Sequence, residues 1–191
     1  MDIGSAIRGA PVADVAILIG FGVFFFFGVL QGTIRRLLDI GAATAAFVIA
    51  ANLREPVGSF LADNWRQFSL GYNQLIAFVV IFVGILLIAT IMMQVMYKRV
   101  VLSSRHPILE EIVGGLIGLI EAFVLLLFVV IIFNSYKLPI AQPGDLGPLR
   151  DFQNAIVDQS HVAHWIRETI APVFVHLIGI LLPATLVKLF P

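Results

Sequence analysis

Four long apolar runs, separated by short polar connections, dominate the first two thirds of the chain. Each is close to the about 20 residues that cross a hydrocarbon core of about 30 Å at a helical rise of about 1.5 Å per residue. The second is the shortest, and it contains the small-residue string GAATAA. The pattern predicts four transmembrane helices over residues 12–30, 37–53, 75–96 and 112–133.

The pattern changes after residue 133. Residues 134–152 are rich in proline and glycine and predict an extended linker. Residues 153–191 are predicted to form an amphipathic helix at the membrane interface followed by a hydrophobic segment. The apolar stripe of that helix consists of Val162, Trp165, Ile166 and Ile170. For residues 173–190, which Pro183 interrupts, we expect a re-entrant or surface-lying hairpin, with a fifth span as the alternative.

Composition agrees with membrane insertion. The chain has 191 residues, of which 60% are hydrophobic and 13% charged, whereas soluble domains average about 25% charged residues. Its formal net charge is zero, so electrostatics give no reason to expect nucleic acid as a partner. The expected fold class is an all-α integral membrane protein, and its expected partner is the lipid bilayer.

Basic residues predict the orientation of the spans. The first and third connections carry five lysines and arginines, namely Arg35, Arg36, Lys98, Arg99 and Arg105. The basic residues on the opposite side are spread over longer segments. The positive-inside rule therefore predicts that both termini lie outside the cytoplasm.

One carboxylate, Glu121, lies deep in the fourth apolar run. Exposed to lipid at mid-bilayer, it would cost about 2.5–3.5 kcal/mol, so we expect it to face another helix. The fourth run carries small residues at helical spacing on that side, namely Gly114, Gly115, Gly118 and Ala122. Small residues let two helix backbones approach closely, and Gly41 and Ala45 of the second run offer the matching strip.

The helical rise predicts the hydrogen-bond partners of Glu121. Thr44 and Thr90 fall at a similar depth. The depths of Arg35 and Arg36 argue against direct contact, which they would make only if their loop dips inward. Arg35 and Asp39, four residues apart, are expected to pair with each other. Two roles for Glu121 stay open: an acid that links helices by hydrogen bonding, and a proton-responsive or ion-path carboxylate.

The sequence contains no Gly-x-Ser-x-Gly, no His-Glu-x-x-His and no phosphate-binding glycine loop. His161 and His164 share a helix face, but no third ligand is placed to complete a metal site. We therefore predict that the protein is not an enzyme and uses no cofactor, no metal and no catalytic residue.

Three stretches resemble the colicin V production protein (CvpA) family. Asp14 matches an aspartate that opens the first span, and in the stretch QGTIRR Gly32 and Arg35 match a signature in which Arg36 replaces a glutamate. In EEIVGGLIGLIEA the glycines match, whereas glutamates, Glu121 among them, replace both arginines. The tail DQSHVAHWIRETIAP matches a serine followed by an apolar helix. The opposite replacements at Arg36 and Glu121 suggest that the two positions share an electrostatic environment.

The resemblance implies a multi-pass protein of the plasma (inner) membrane that supports toxin (colicin V) production or export, or other envelope processes. We expect a non-enzymatic assembly component whose partners are other membrane or envelope proteins, copies of itself included. The alternative is a small oligomeric channel or proton-coupled transporter that uses Glu121.

Overall fold

The structure, a computed structural model, describes residues 11–65, 68–96, 107–135, 154 and 159–188, so most of the predicted linker lies outside the described residues. Four long helices are apolar enough to cross a membrane. They are α1 (Val12–Gln31), α2 (Thr33–Asn64), α3 (Leu70–Met96) and α4 (Pro107–Ser135). The protein is an all-α, multi-pass membrane protein.

A single residue, Gly32, connects α1 to α2. Its φ of 83° lies in the left-handed region that favours glycine, and its amide donates a 3.0 Å hydrogen bond to the carbonyl oxygen of Gly28. Helix α2 therefore begins before the predicted run, and it continues over 32 residues. At about 1.5 Å per residue it is about 48 Å long, so it extends beyond a hydrocarbon core of about 30 Å.

The four helices form two pairs. Helix α1 packs along α4 and α2 packs along α3, while contacts between α2 and α4 join the pairs. Helix α3 is buried near its beginning, at Leu75 and Phe78, and exposed towards its end, at Ile91 and Val95. The pairs are therefore closed together at one end of the bundle and more open at the other.

We call these two ends the tail half and the cavity half. The tail half contains the start of α1, the end of α2, the start of α3 and the end of α4; the cavity half contains their opposite ends. Aromatic packing fills the tail half: the rings of Phe47 and Phe128 stack at a centroid distance of 4.2 Å. Phe78 meets Phe47 at 5.8 Å, and Phe174 meets Phe128 at 5.6 Å.

The tail, residues 159–188, packs against this core. It begins with a continuous helical segment, made of α5 (His161–Trp165), a π-helical turn (Ile166–Ile170) and α6 (Ala171–Leu177). Its buried face contains Ala163, Ile166, Ala171 and Val175. Val162 and Trp165 are 37% and 52% exposed, so they lie outside the face that packs against the bundle, and the placement of the predicted apolar stripe at the membrane interface stays a prediction. The small side chains of Ala163 and Ala171 let the helix approach the bundle, and the Trp165 ring lies 6.5 Å from the ring of Phe123 on α4.

The end of the tail folds back on itself. After α6 come a 3₁₀ turn (Gly179–Leu181) and the short helix α7 (Ala184–Val187). The end of α2 holds this hairpin: the side-chain amide of Asn52 donates a 2.8 Å hydrogen bond to the carbonyl oxygen of Leu181. The Thr185 hydroxyl donates a 2.8 Å hydrogen bond to Glu55.

Candidate functional site

Glu121 forms an ion pair with Arg36 in the cavity half. The Nη1 group of Arg36 donates to Oε2 of Glu121, and the side chains are only 5% and 9% exposed, respectively. The guanidinium carbon of Arg36 also lies 5.8 Å from the ring centroid of Phe24 on α1. The pair therefore links α2 to α4 across a surface that α1 provides.

The predicted separation of Arg36 and Glu121 is wrong. The rise per residue compares the depths of two Cα atoms, whereas two long side chains extend towards each other here. Glutamate on a helix leans towards the N-terminus, which in α4 is the cavity half. The long arginine side chain spans the remaining distance and carries its charge to the acid.

Glycines fix the position of α4 beside Glu121. A Cβ atom at Gly118 would overlap the backbone oxygen of Phe24, and one at Gly28 would overlap that of Gly114. The backbones of α1 and α4 are thus in direct contact. Gly115 faces the ring of Phe25, and Ala122 is buried.

The glycine face of α4 therefore packs against α1, and the strip predicted on α2 is wrong at Gly41 and Ala45. Gly41 and Ala45 are exposed, and a Cβ atom at Gly41 would meet nothing within 4 Å. Helix α2 turns Ala43, Ala46 and Phe47 inwards instead. Phe47 decides this orientation, because its ring completes the aromatic core.

The two predicted threonines also differ from expectation. The Thr44 hydroxyl donates a 2.9 Å hydrogen bond to the carbonyl oxygen of Ile40 in its own helix, as threonine commonly does in helices. It is not a partner of Glu121. Thr90 lines the same cavity as Glu121, and among the described contacts no hydrogen bond joins the two.

A cavity of about 250 Å³ surrounds the ion pair, and all four long helices contribute to its walls. Its charged residues are Arg35, Arg36, Asp39 and Glu121. Contrary to expectation, Arg35 and Asp39 do not form an ion pair with each other in the described part of the chain; the Nε atom of Arg35 is buried without a hydrogen-bond partner. The cavity is large and polar enough to hold several waters or a small polar molecule.

A second polar contact, in the tail half, joins the start of α1 to the tail. The Ser160 hydroxyl donates a 2.5 Å hydrogen bond to Oδ1 of Asp14 and accepts one of 3.0 Å from the amide of Ala163. The amides of His161 and Val162 donate to the Asp14 carboxylate at 3.3 and 3.4 Å. Asp14 and Ser160 together cap the tail helix. The sequence singled out both regions but gave no signal of this long-range contact.

Within the ranges that the structure describes, no three histidine, aspartate or glutamate side chains are placed to share a metal ion. The charged groups of the cavity instead offer hydrogen bonds and ion pairs to a polar ligand or to water.

The model of the colicin V production protein family matches residues 13–172. This chain belongs to the colicin V production protein family. The matched region includes both polar contacts described above, Arg36 with Glu121 and Asp14 with Ser160, while the hairpin at the end of the tail lies beyond it. No curated protein and no solved structure matches the chain.

Proposed function

We propose that this protein is a non-enzymatic assembly component of the plasma (inner) membrane that supports colicin V production or export, or a related envelope process. The family match provides the biological context. The observation that carries the proposal is the closure of the tail half. A closed bundle is better suited to positioning other membrane components than to conducting ions.

The closure is made by aromatic and aliphatic side chains. Phe47, Phe128 and Ile131 are at most 1% exposed, and the buried face of the tail covers them. An aqueous path that enters through the cavity would have to displace this packing before it crossed a single chain. The cavity thus supports a role at one membrane surface.

The orientation follows from the basic connections. Arg35 and Arg36 line the cavity, whereas Lys98, Arg99 and Arg105 lie outside the described residues. From the positive-inside rule we infer that the cavity half faces the cytoplasm and that both termini lie on the opposite side. The contact between Asp14 and Ser160 supports the same arrangement, because it joins the start of α1 and the tail at one end of the bundle.

The alternative is a small oligomeric channel or proton-coupled transporter. The observation in its favour is a charged cavity that all four spans line, with Glu121 at its wall. In that case several copies would have to line an aqueous path together, because the packing of the tail half blocks such a path through one chain.

Two assays on the same variants separate these functions. The first measures colicin V release from a producing strain that lacks its own family member, complemented with the wild type or with Glu121→Gln. The second measures proton flux into liposomes that contain the purified protein. We expect the wild type to restore release and to give no flux above protein-free liposomes.

Failure of the wild type to restore release would contradict the assembly role. Flux that appears with the wild type and disappears in a folded Glu121→Gln variant would favour the channel. Glu168→Gln is the matched control in both assays, because this glutamate is exposed on the tail and far from the cavity in sequence.

A further inference from the structure

Arg35 and Asp39 are the two charged residues of the cavity that the ion pair does not use. They lie one helical turn apart on α2, about 6 Å along the helix axis, and both line the cavity. Arg36 and Glu121 are already engaged with each other. Among the described residues, neither Arg35 nor Asp39 makes a side-chain hydrogen bond or an ion pair, and the buried Nε of Arg35 is unpartnered.

A buried polar atom without a partner is costly, and native structures contain few of them. Two opposite charges that line one cavity, without meeting each other, are suited to a ligand that carries both charges. An anion alone would face two carboxylates, and a cation alone would face two guanidinium groups. The cavity therefore favours a zwitterion.

We propose that this cavity binds a phosphoethanolamine group, with its phosphate on Arg35 and its ammonium on Asp39. Arginine binds phosphate through parallel, charge-assisted hydrogen bonds, and an ammonium has N–H groups that donate to a carboxylate. Two carbons separate the phosphate from the ammonium, so one such group reaches both residues. This site does not depend on the proposed assembly role.

The rest of the cavity fits the same ligand. Phe27, Leu86 and Leu125 supply apolar walls beside the charges, where the glycerol and the first acyl carbons of a lipid would pack. The cavity also reaches the junction of α1 and α2, because Gln31 at the end of α1 and Arg35 near the start of α2 are among its lining residues. The end of α3 is exposed, which gives a lipid lateral access. Phosphoethanolamine can come from a membrane lipid or from a soluble metabolite, and the chemistry of recognition is shared.

The experiment places the full-length protein in nanodiscs of phosphatidylcholine, whose quaternary ammonium has no N–H to donate to Asp39. Bound ligand is then counted by native mass spectrometry during titration with three probes: phosphatidylethanolamine, phosphatidylglycerol and soluble glycerophosphoethanolamine. The variants are Arg35→Gln and Asp39→Asn. Their matched controls are Arg167→Gln on the tail and Asp63→Asn at the exposed end of α2.

We expect one phosphatidylethanolamine per chain, with apparent affinity at least about tenfold weaker in each cavity variant and unchanged in the controls, because each variant removes at least one charge-assisted hydrogen bond. Arg35→Lys keeps the charge but loses the parallel hydrogen bonds, so its affinity is expected to lie between those of the wild type and Arg35→Gln, which distinguishes lost recognition from lost folding. Binding of the lipid alone identifies the membrane as the source. Binding of the soluble probe as well identifies the free group.

Three results would overturn the proposal. Phosphatidylglycerol binding as tightly as phosphatidylethanolamine would mean that the ammonium is not recognised. Equal binding by the cavity variants and their controls, or no binding of either phosphoethanolamine probe, would mean that Arg35 and Asp39 do not form this site.

Discussion

The tail half and the cavity half are built from the same four helices but are held together by different interactions. In the tail half, rings and branched side chains interlock around Phe47 and Phe128. In the cavity half, an ion pair crosses between α2 and α4 beside about 250 Å³ of space. Inside a bilayer, burial of an apolar side chain exchanges lipid for protein, so tight packing supplies much of the attraction between helices.

The difference indicates that one half of the molecule stabilises the fold and the other is suited to recognition. Close packing leaves no room for a ligand, so the tail half is suited to holding the fold together. Charged groups inside a membrane are costly and usually mark functional positions. The cavity half combines such groups with free volume, and it is there that a ligand or partner would be recognised.

The largest effect is expected from Phe128→Ala in the tail half. Truncation of a fully buried phenylalanine leaves a cavity and costs about 3–5 kcal/mol in the free energy of unfolding. Equilibrium unfolding in mixed micelles measures the change. Phe26→Ala is the control, since Phe26 is 61% exposed on α1 and is expected to change stability by less than about 0.5 kcal/mol. Equal losses in the two variants would show that the aromatic core does not hold the bundle.

The next effect is expected at the ion pair. Removal of one partner of a buried pair costs about 3–5 kcal/mol when the remaining charge has no solvent. Here the adjoining cavity can admit water, so we expect Arg36→Gln and Glu121→Gln each to cost roughly 2–3 kcal/mol. The same unfolding assay compares them with the charge-reversed double variant, Arg36→Glu with Glu121→Arg.

The double variant restores opposite charges at the two positions, so it should be more stable than either single reversal, Arg36→Glu or Glu121→Arg. If it is no more stable than the two singles, the contact contributes no coupling, and the cavity half is held by the glycine contacts between α1 and α4 alone.

A smaller and more local effect is expected from Asp14→Ala, which removes the carboxylate that caps the tail helix. Loss of a capping side chain costs about 1 kcal/mol, equivalent to a roughly fivefold larger equilibrium constant for opening of the tail helix. Hydrogen exchange at the amides of residues 161–165 measures it. Asp63→Ala, at the exposed end of α2, is the control. Unchanged exchange in Asp14→Ala would show that the buried face of the tail, rather than its cap, keeps it docked.

The helical architecture could be predicted from the sequence because the patterns that indicate it are local. Long apolar runs identified the four spans, and apolar periodicity with proline identified the helical tail. These features depend on membrane thickness and helical rise, which are the same for every chain. The glycines of α4 were likewise recognisable from their spacing.

The sequence does not indicate which faces of the helices pack against each other. Gly41 and Ala45 have the spacing of a packing strip, yet α2 turns Phe47 inwards and leaves them exposed. The choice depends on the fit of Phe47 against Phe128, which are 81 positions apart, and no local pattern encodes it. The contact between Asp14 and Ser160 was hidden for the same reason. For Glu121, the helical rise favoured a threonine hydroxyl as the hydrogen-bond partner. The rise gives only the depth of each Cα atom along the helix and ignores the length of the side chains.

Thr44→Val is the smallest predicted effect and tests this last distinction. The Thr44 hydroxyl donates to the Ile40 carbonyl oxygen, which the α-helix already engages. Valine has the same shape and removes only this local hydrogen bond, so we expect a change within about 0.5 kcal/mol. A loss of stability as large as that of Glu121→Gln would instead show that Thr44 supports the acid.

The double variant Thr44→Val with Glu121→Gln tests whether the two side chains interact. Additive effects mean that they are independent, whereas a smaller combined loss means that they interact. The structure predicts additivity, because the partner of Glu121 is Arg36.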